Sequence, residues 1–127
     1  METIIQNLDR ECAEYGYKIS GIEKISEPLI RKSLGVLQED GLYAFALYLY
    51  SRGTSEKKVT QKIEGIILNF LKKLRIISNE QNDLKKAIRE EIARDLDKIL
   101  LSKQVLERAL IYALYHVKGG EEREESG

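Results

Sequence analysis

The segment Leu42-Tyr43-Ala44-Phe45-Ala46-Leu47-Tyr48-Leu49-Tyr50 carries no charge over nine consecutive residues, and it follows directly on Glu39-Asp40-Gly41. A helix on a protein surface shows charged residues along one side, and this segment has none on any side. Crossing a bilayer takes roughly 20 apolar residues at about 1.5 Å each, so the segment is too short for a membrane. It predicts a short buried helix, about residues 42–51, around which the rest of the chain wraps.

The flanking sequence is helical in pattern. Pro28 is the only proline, and apolar residues recur every three or four positions, the period of an amphipathic helix. A first helix over about 2–24 aligns Ile5, Leu8, Cys12, Tyr15, Ile19 and Ile22 on one face. Cys12 falls in that stripe and reads as a small buried hydrophobe. Ser26 caps a second helix with Glu27 and Pro28 in its first turn, Ile30, Leu34 and Leu37 face inward, and Gly41 ends it. Thr54 or Ser55 caps a fourth helix running to about Ile77, with Val59, Ile63, Ile66, Ile67, Phe70, Leu71 and Leu74 inward.

After a turn at Asn79–Asp83, a fifth helix over about 83–100 buries Leu84, Ile88, Ile92, Leu96 and Ile99 and carries a Glu90–Arg94 surface pair. Ser102 caps the last helix, which buries Leu106, Ala109, Leu110, Ala113, Leu114 and Val117 and ends at Gly119-Gly120. The expected fold class is all-α: a compact bundle of five to six helices forming a single domain over residues 1–118. Residues 119–127 contain no apolar side chain and predict a disordered acidic tail.

Several functional classes fall away. Cys12 is the only cysteine, which excludes an intrachain disulfide and a cysteine metal site. Glu2, Asp9, Arg10 and Glu11 interrupt any apolar run of the signal-peptide kind, so a cytoplasmic protein is expected. His116 is the sole histidine, ruling out a histidine triad or a multi-histidine metal site, and near a helix end it complements the helix dipole. Glu90-Glu91 with Arg94-Asp95 reads as a solvated helix face, and no glycine loop opens a helix to hold phosphate. The expectation is a non-enzymatic protein with no cofactor, metal or small-molecule substrate, and no membrane partner.

Charge is balanced in sum and uneven in distribution. The chain has 21 basic and 21 acidic residues. Residues 54–75 hold six basic residues against Glu56 and Glu64, while the tail 119–127 holds one against four. On the fourth helix Lys58, Lys62, Gly65, Asn69 and Lys72/Lys73 follow steps of three and four, opposite the apolar stripe, with Glu64 to one side. A row of that kind can follow a phosphate backbone through salt-dependent, sequence-independent attraction. Arg31, Lys32 and Arg52 extend the patch if the fold brings them near. The same row also fits an ordinary solvated face of a protein-interaction module with no direct RNA role. No basic–aromatic interleaving of the base-stacking type is evident. Tyr15, Tyr43, Tyr48, Tyr50, Tyr112 and Tyr115 lie in or beside apolar stripes and read as core, and Tyr17 alone lies off its stripe as a surface tyrosine.

Three segments together resemble the small all-helical subunit of the type III-B CRISPR effector, the Cmr complex. Asn7–Ile19 is similar to that family's opening helix, Leu34 through Asp40-Gly41-Leu42 to Leu47 to its helix, Gly-Leu turn and apolar helix, and Leu106–Leu114 to its closing helix. Cys12 stands where the family usually has a basic residue, and Gly35 where it usually has a proline. The resemblance implies a non-catalytic structural subunit of a ribonucleoprotein in antiviral defence. Such a subunit stacks on further copies of itself and on other effector subunits, and it contacts guide or target RNA. Type III-A effectors have an analogous small subunit. On this reading Arg31, Lys32, Arg52, Lys58, Lys62, Lys72 and Lys73 are the residues expected to touch phosphate.

Overall fold

A computed structural model describes the backbone of residues 2–126 and the side chains of residues 7–120. The chain forms six α-helices with no strand among the described residues: α1 (Glu2–Ser20), α2 (Glu27–Asp40), α3 (Leu42–Tyr50), α4 (Lys57–Lys73), α5 (Leu84–Ala87) and α6 (Leu96–Ser126), with a π-helical turn at Ile88–Ile92 after α5. The expected all-α bundle is the observed one. No described helix is long and apolar enough to cross a membrane.

Local chemistry accounts for several boundaries. Ser26 Oγ accepts the Leu29 N–H at 3.3 Å and caps α2, whose first turn contains Glu27 and Pro28. At Gly41 (φ 94°) the chain turns from α2 into α3, a backbone conformation that favours glycine. The end of α4 is a Schellman motif, with Arg75 N–H bonded to Lys72 O and Ile76 N–H to Leu71 O, both at 2.9 Å. Arg75 occupies the left-handed position there at φ 60°, usually a glycine site. This ends α4 at Lys73 rather than near Ile77. The expected Thr54 or Ser55 cap is also displaced, since Glu56 precedes α4 and makes no side-chain cap bond.

The core joins Tyr15 and Ile19 of α1, Ile30 and Leu37 of α2, Phe45 of α3, Ile63, Ile67 and Phe70 of α4, and Leu106, Leu110 and Ala113 of α6. Tyr15 stacks on Phe70 with ring centroids 4.5 Å apart. Cys12 is buried as expected, and its Sγ donates to Val105 O at 3.6 Å. Burial, reinforced by the charge of Asp9, pushes its thiol pKa up to about 11, so it stays protonated at neutral pH. Ile5, the first residue of the expected α1 stripe, lies outside the described side chains.

Four expectations need correction. α3 packs against α2, α4, α5, the π turn and α6, but only Leu42, Phe45, Ala46 and Leu49 are buried. Tyr43, Leu47 and Tyr50 face outward, so α3 is central without being enclosed. Cations lie over two of its outward rings, Lys85 of α5 over Tyr50 and Arg89 of the π turn over Tyr43. Second, the expected helix over 83–100 is broken. The π turn adds a residue to one turn (Ala93 N–H to Ile88 O, 2.8 Å), and Asp95 then accepts the Asp97 N–H at 2.9 Å to start α6.

Third, Ser102 is no cap. It lies buried within α6, and its Oγ has no hydrogen-bond partner among the described residues. Fourth, α6 runs through Gly119-Gly120 to Ser126. Glycine inside a helix costs about 1 kcal/mol relative to alanine and does not forbid it. His116 is therefore not at a helix end; it is exposed and meets the Tyr17 ring edge-on at 5.5 Å. The expectation of a disordered tail falls largely on residues 121–127, whose side chains lie outside those described.

α1 lies directly on α6, and the approach requires Gly16. A Cβ at this position would sit 2.6 Å from Ala109 O and 2.8 Å from Tyr112 Cβ. Gly16→Ala is expected to destabilise the domain by about 1–3 kcal/mol through overpacking. Gly65→Ala, at an exposed position of α4 where a Cβ meets nothing within 4 Å, should instead stabilise it by up to about 1 kcal/mol. Urea unfolding midpoints of the two variants check the pair.

Candidate nucleic-acid interface

The apolar stripe of α4 orients its basic residues. With Val59, Ile63, Ile67, Phe70 and Leu71 buried, Lys58, Lys62, Gly65 and Asn69 are left exposed on the opposite side. The row expected from spacing is therefore present from Lys58 to Asn69. Glu64 lies to one side of it, with its carboxylate turned to the Leu84 N–H at 3.0 Å at the start of α5.

The two ends of the row open into separate hollows. At the N-terminal end Lys58 and Lys62 share a cavity of about 430 Å³ with Lys24, Thr54 and Ser55, and Glu23 supplies the one carboxylate on its wall. Lys24 is held there by the turn after α1, at φ 68°. None of the three lysines is in a salt bridge among the described residues. At the C-terminal end Lys72 and Lys73 line a cavity of about 460 Å³ with Arg75, Lys98 and Glu91. Here the charge is partly answered: Lys73 Nζ lies 2.9 Å from Glu11 Oε2, and this close carboxylate raises its pKa.

The remaining expected residues are dispersed. Arg31 is on α2, which packs on α3 and α6, and it pairs with Glu27 at 2.6 Å. Hydrogen bonding from Arg31 holds the Glu27 carboxyl below the ordinary range. Lys32 is exposed on the same helix. Neither lines a hollow of the lysine row, so the suggested extension through Arg31 and Lys32 does not form. Arg52 places its guanidinium 4.1 Å over the Tyr48 ring and lines a third cavity, with Lys57 and Lys85.

Sequence reasoning missed Lys24, Arg75 and Lys98, which come from a turn, a helix end and α6, with no common period. It also assigned Tyr43, Tyr50 and Tyr115 to the core, and all three are exposed. For Tyr43 and Tyr50 a signal existed. With Leu47 they fall at i, i+4 and i+7, so α3 does have a distinct face, made of rings instead of charges. Among the described residues no group of three or more His, Cys, Asp or Glu side chains is placed to hold a metal ion.

The second hollow depends on one carboxylate. Glu91 accepts Ser78 N–H at 2.9 Å, Ser78 Oγ at 3.1 Å and Gln81 Nε2 at 2.7 Å, tying the chain after α4 to the π turn. Partial burial opposes its charge, and the hydrogen bonds from Gln81 and Ser78 outweigh it, leaving its pKa below the ordinary 4.5. The folded state thus favours the ionised form. That stabilisation is present above about pH 4.5 and disappears as pH falls through the lower folded value. Glu91→Gln should therefore be less stable than the wild type at neutral pH, with the gap narrowing below about pH 4.5, as read from urea midpoints across a pH series. Searches of family models, curated proteins and solved structures gave no match to this chain.

Proposed function

We propose that this chain is a non-catalytic structural subunit of an RNA-guided effector ribonucleoprotein, similar in role to the small helical subunit of type III-B CRISPR complexes. Its partners are further copies of itself, other effector subunits, and guide or target RNA. The observation that carries the RNA contact is the convergence of Lys24, Lys58 and Lys62 on one hollow without a salt bridge among the described residues. Ammonium groups so placed attract phosphate through counterion release, whatever the base sequence. Assignment to the effector family rests on the similarity of three ordered segments of the sequence. The same role in a type III-A effector, which has an analogous small helical subunit, is the alternative.

A second reading is favoured by a different observation. Leu96 and Leu100, one turn apart at the start of α6, are exposed large apolar side chains. Such a pair suits a protein neighbour, either within the assembly or in a module that never meets RNA. Native purification from the host separates the two: a large complex carrying short guide RNA supports the effector subunit, and an RNA-free partner supports the interaction module.

The lysine assignment has its own test. Lys58→Glu with Lys62→Glu should weaken RNA binding by the assembled complex and lower the slope of log K against log salt by about 1 for each phosphate no longer neutralised. An unchanged affinity and slope would place the RNA on another surface.

A further inference from the structure

The outer face of α3 carries ring–cation pairs that the lysine row does not use. Tyr43, Leu47 and Tyr50 are 37%, 42% and 72% exposed. Lys85 Nζ lies 4.0 Å from the centre of the Tyr50 ring, and Arg89 donates to the Tyr43 hydroxyl at 2.8 Å. Since the earlier tyrosine meets the later cation, α3 and the segment from α5 into the π turn run antiparallel along this face. Beside Tyr50 opens a cavity of about 510 Å³, walled by Arg52, Lys57, Gln61, Asn82 and Lys85.

Charge on this wall is not balanced. Its two carboxylates are engaged internally: Glu64 accepts the Leu84 N–H at 3.0 Å, and Asp83 pairs with the Lys85 ammonium at 3.1 Å. Arg52 and Lys57 take part in no salt bridge among the described residues. A ring that stays 72% exposed with the Lys85 ammonium over it, two side-chain amides and two cations outside any salt bridge among the described residues match the parts of a nucleotide. A ring face takes a base of any identity, amides meet its donors and acceptors, and cations meet its phosphate. An acidic peptide would meet the cations and, through its backbone, the amides, but its carboxylate side chains offer the ring no flat face to stack on.

We propose that this cavity receives one nucleotide of single-stranded RNA, its base stacked on Tyr50, its edge toward Gln61 and Asn82, and its phosphate held by Arg52 and Lys57. The site rests on the reading of the chain as an RNA-contacting subunit, and it adds base contact to the phosphate contact of the lysine row. Because stacking tolerates every base, the subsite grips a strand without selecting sequence. It also separates single strands, whose bases are free to stack on a side chain, from duplexes, whose bases are already stacked on one another.

NMR titration of the full chain at low salt, with a short oligouridylate and with an abasic ribose-phosphate strand of equal length, tests this. The oligouridylate is expected to shift the Tyr50 ring signals and the Gln61 and Asn82 amides and to bind about 10-fold more tightly than the abasic strand. Tyr50→Ala should erase that difference, and Tyr50→Phe should retain it. Shifts at Lys58 and Lys62 with both strands and none at Tyr50 would overturn the nucleotide cavity and leave the phosphate row standing. Shifts at Tyr50 without any at Lys58 or Lys62 would support the cavity and overturn the row. Silence at both surfaces with millimolar strand overturns both. Tyr50 shifts that follow protein concentration in the absence of RNA would place a second copy of the chain in the cavity and overturn it as well.

Discussion

The contact on which this bundle depends is the crossing of α1 and α6 at Gly16. With no Cβ at that point, the backbone of α1 approaches the Ala109 carbonyl and the Tyr112 Cβ at distances a side chain would not permit. The close approach brings Cys12 against Val105 and sets Asp9 opposite Arg108 and Tyr112. The long α6 then serves as a common support, since α1, α2, α3 and the π turn all pack on it. Two of the three segments that carry the family resemblance, Asn7–Ile19 and Leu106–Leu114, are the two sides of this crossing. In this chain the pattern of both segments follows from that packing.

A neutral chain acquires basic surfaces because its charges fall on different elements, and beside the lysine row several carboxylates turn toward backbone donors. Glu64 accepts the Leu84 N–H, Asp83 the Lys85 N–H, Glu91 the Ser78 N–H and Asp95 the Asp97 N–H. Each satisfies a backbone donor that a helix start or turn leaves open. Lys58 and Lys62 have no corresponding duty and remain on the outside, whereas Lys85 and Arg89 meet the rings of α3. Equal numbers of charges therefore do not produce an evenly charged surface, and net charge alone was uninformative about partners.

Helix existence was legible throughout, because burial of one face imposes a period of three to four on each segment. The Ser26 cap, the Gly41 turn, the buried Cys12 and the exposed Tyr17 followed from local rules and are found where those rules place them. Boundaries set by competition were not legible. Ser102 satisfies the rules for a cap, yet Asp95 takes that role seven residues earlier, because the π turn at Ile88–Ile92 interrupts the preceding helix. Arg75 ends α4 in a conformation for which sequence rules look to glycine. The candidate site divides in the same way: Lys58 and Lys62 share one helix face and could be found by spacing, whereas Lys24, Arg75 and Lys98 come from separate elements.

The sequence by itself determined an all-helical domain, the inward face of each long helix and the lysine row of α4, since all three follow from periodicity within one segment. Only the tertiary structure decided which surfaces those helices share. It left one side of the uncharged segment Leu42–Tyr50 open, placed Lys85 and Arg89 over its rings, and drew Arg31 and Lys32 away from the row. The physical reason is that both faces of this nine-residue helix are uncharged, so periodicity separates the Tyr43-Leu47-Tyr50 face from the Leu42-Phe45-Leu49 face without saying which one is buried. Its neighbours choose, and here α5 and the π turn set cations over the rings of the face left at the surface.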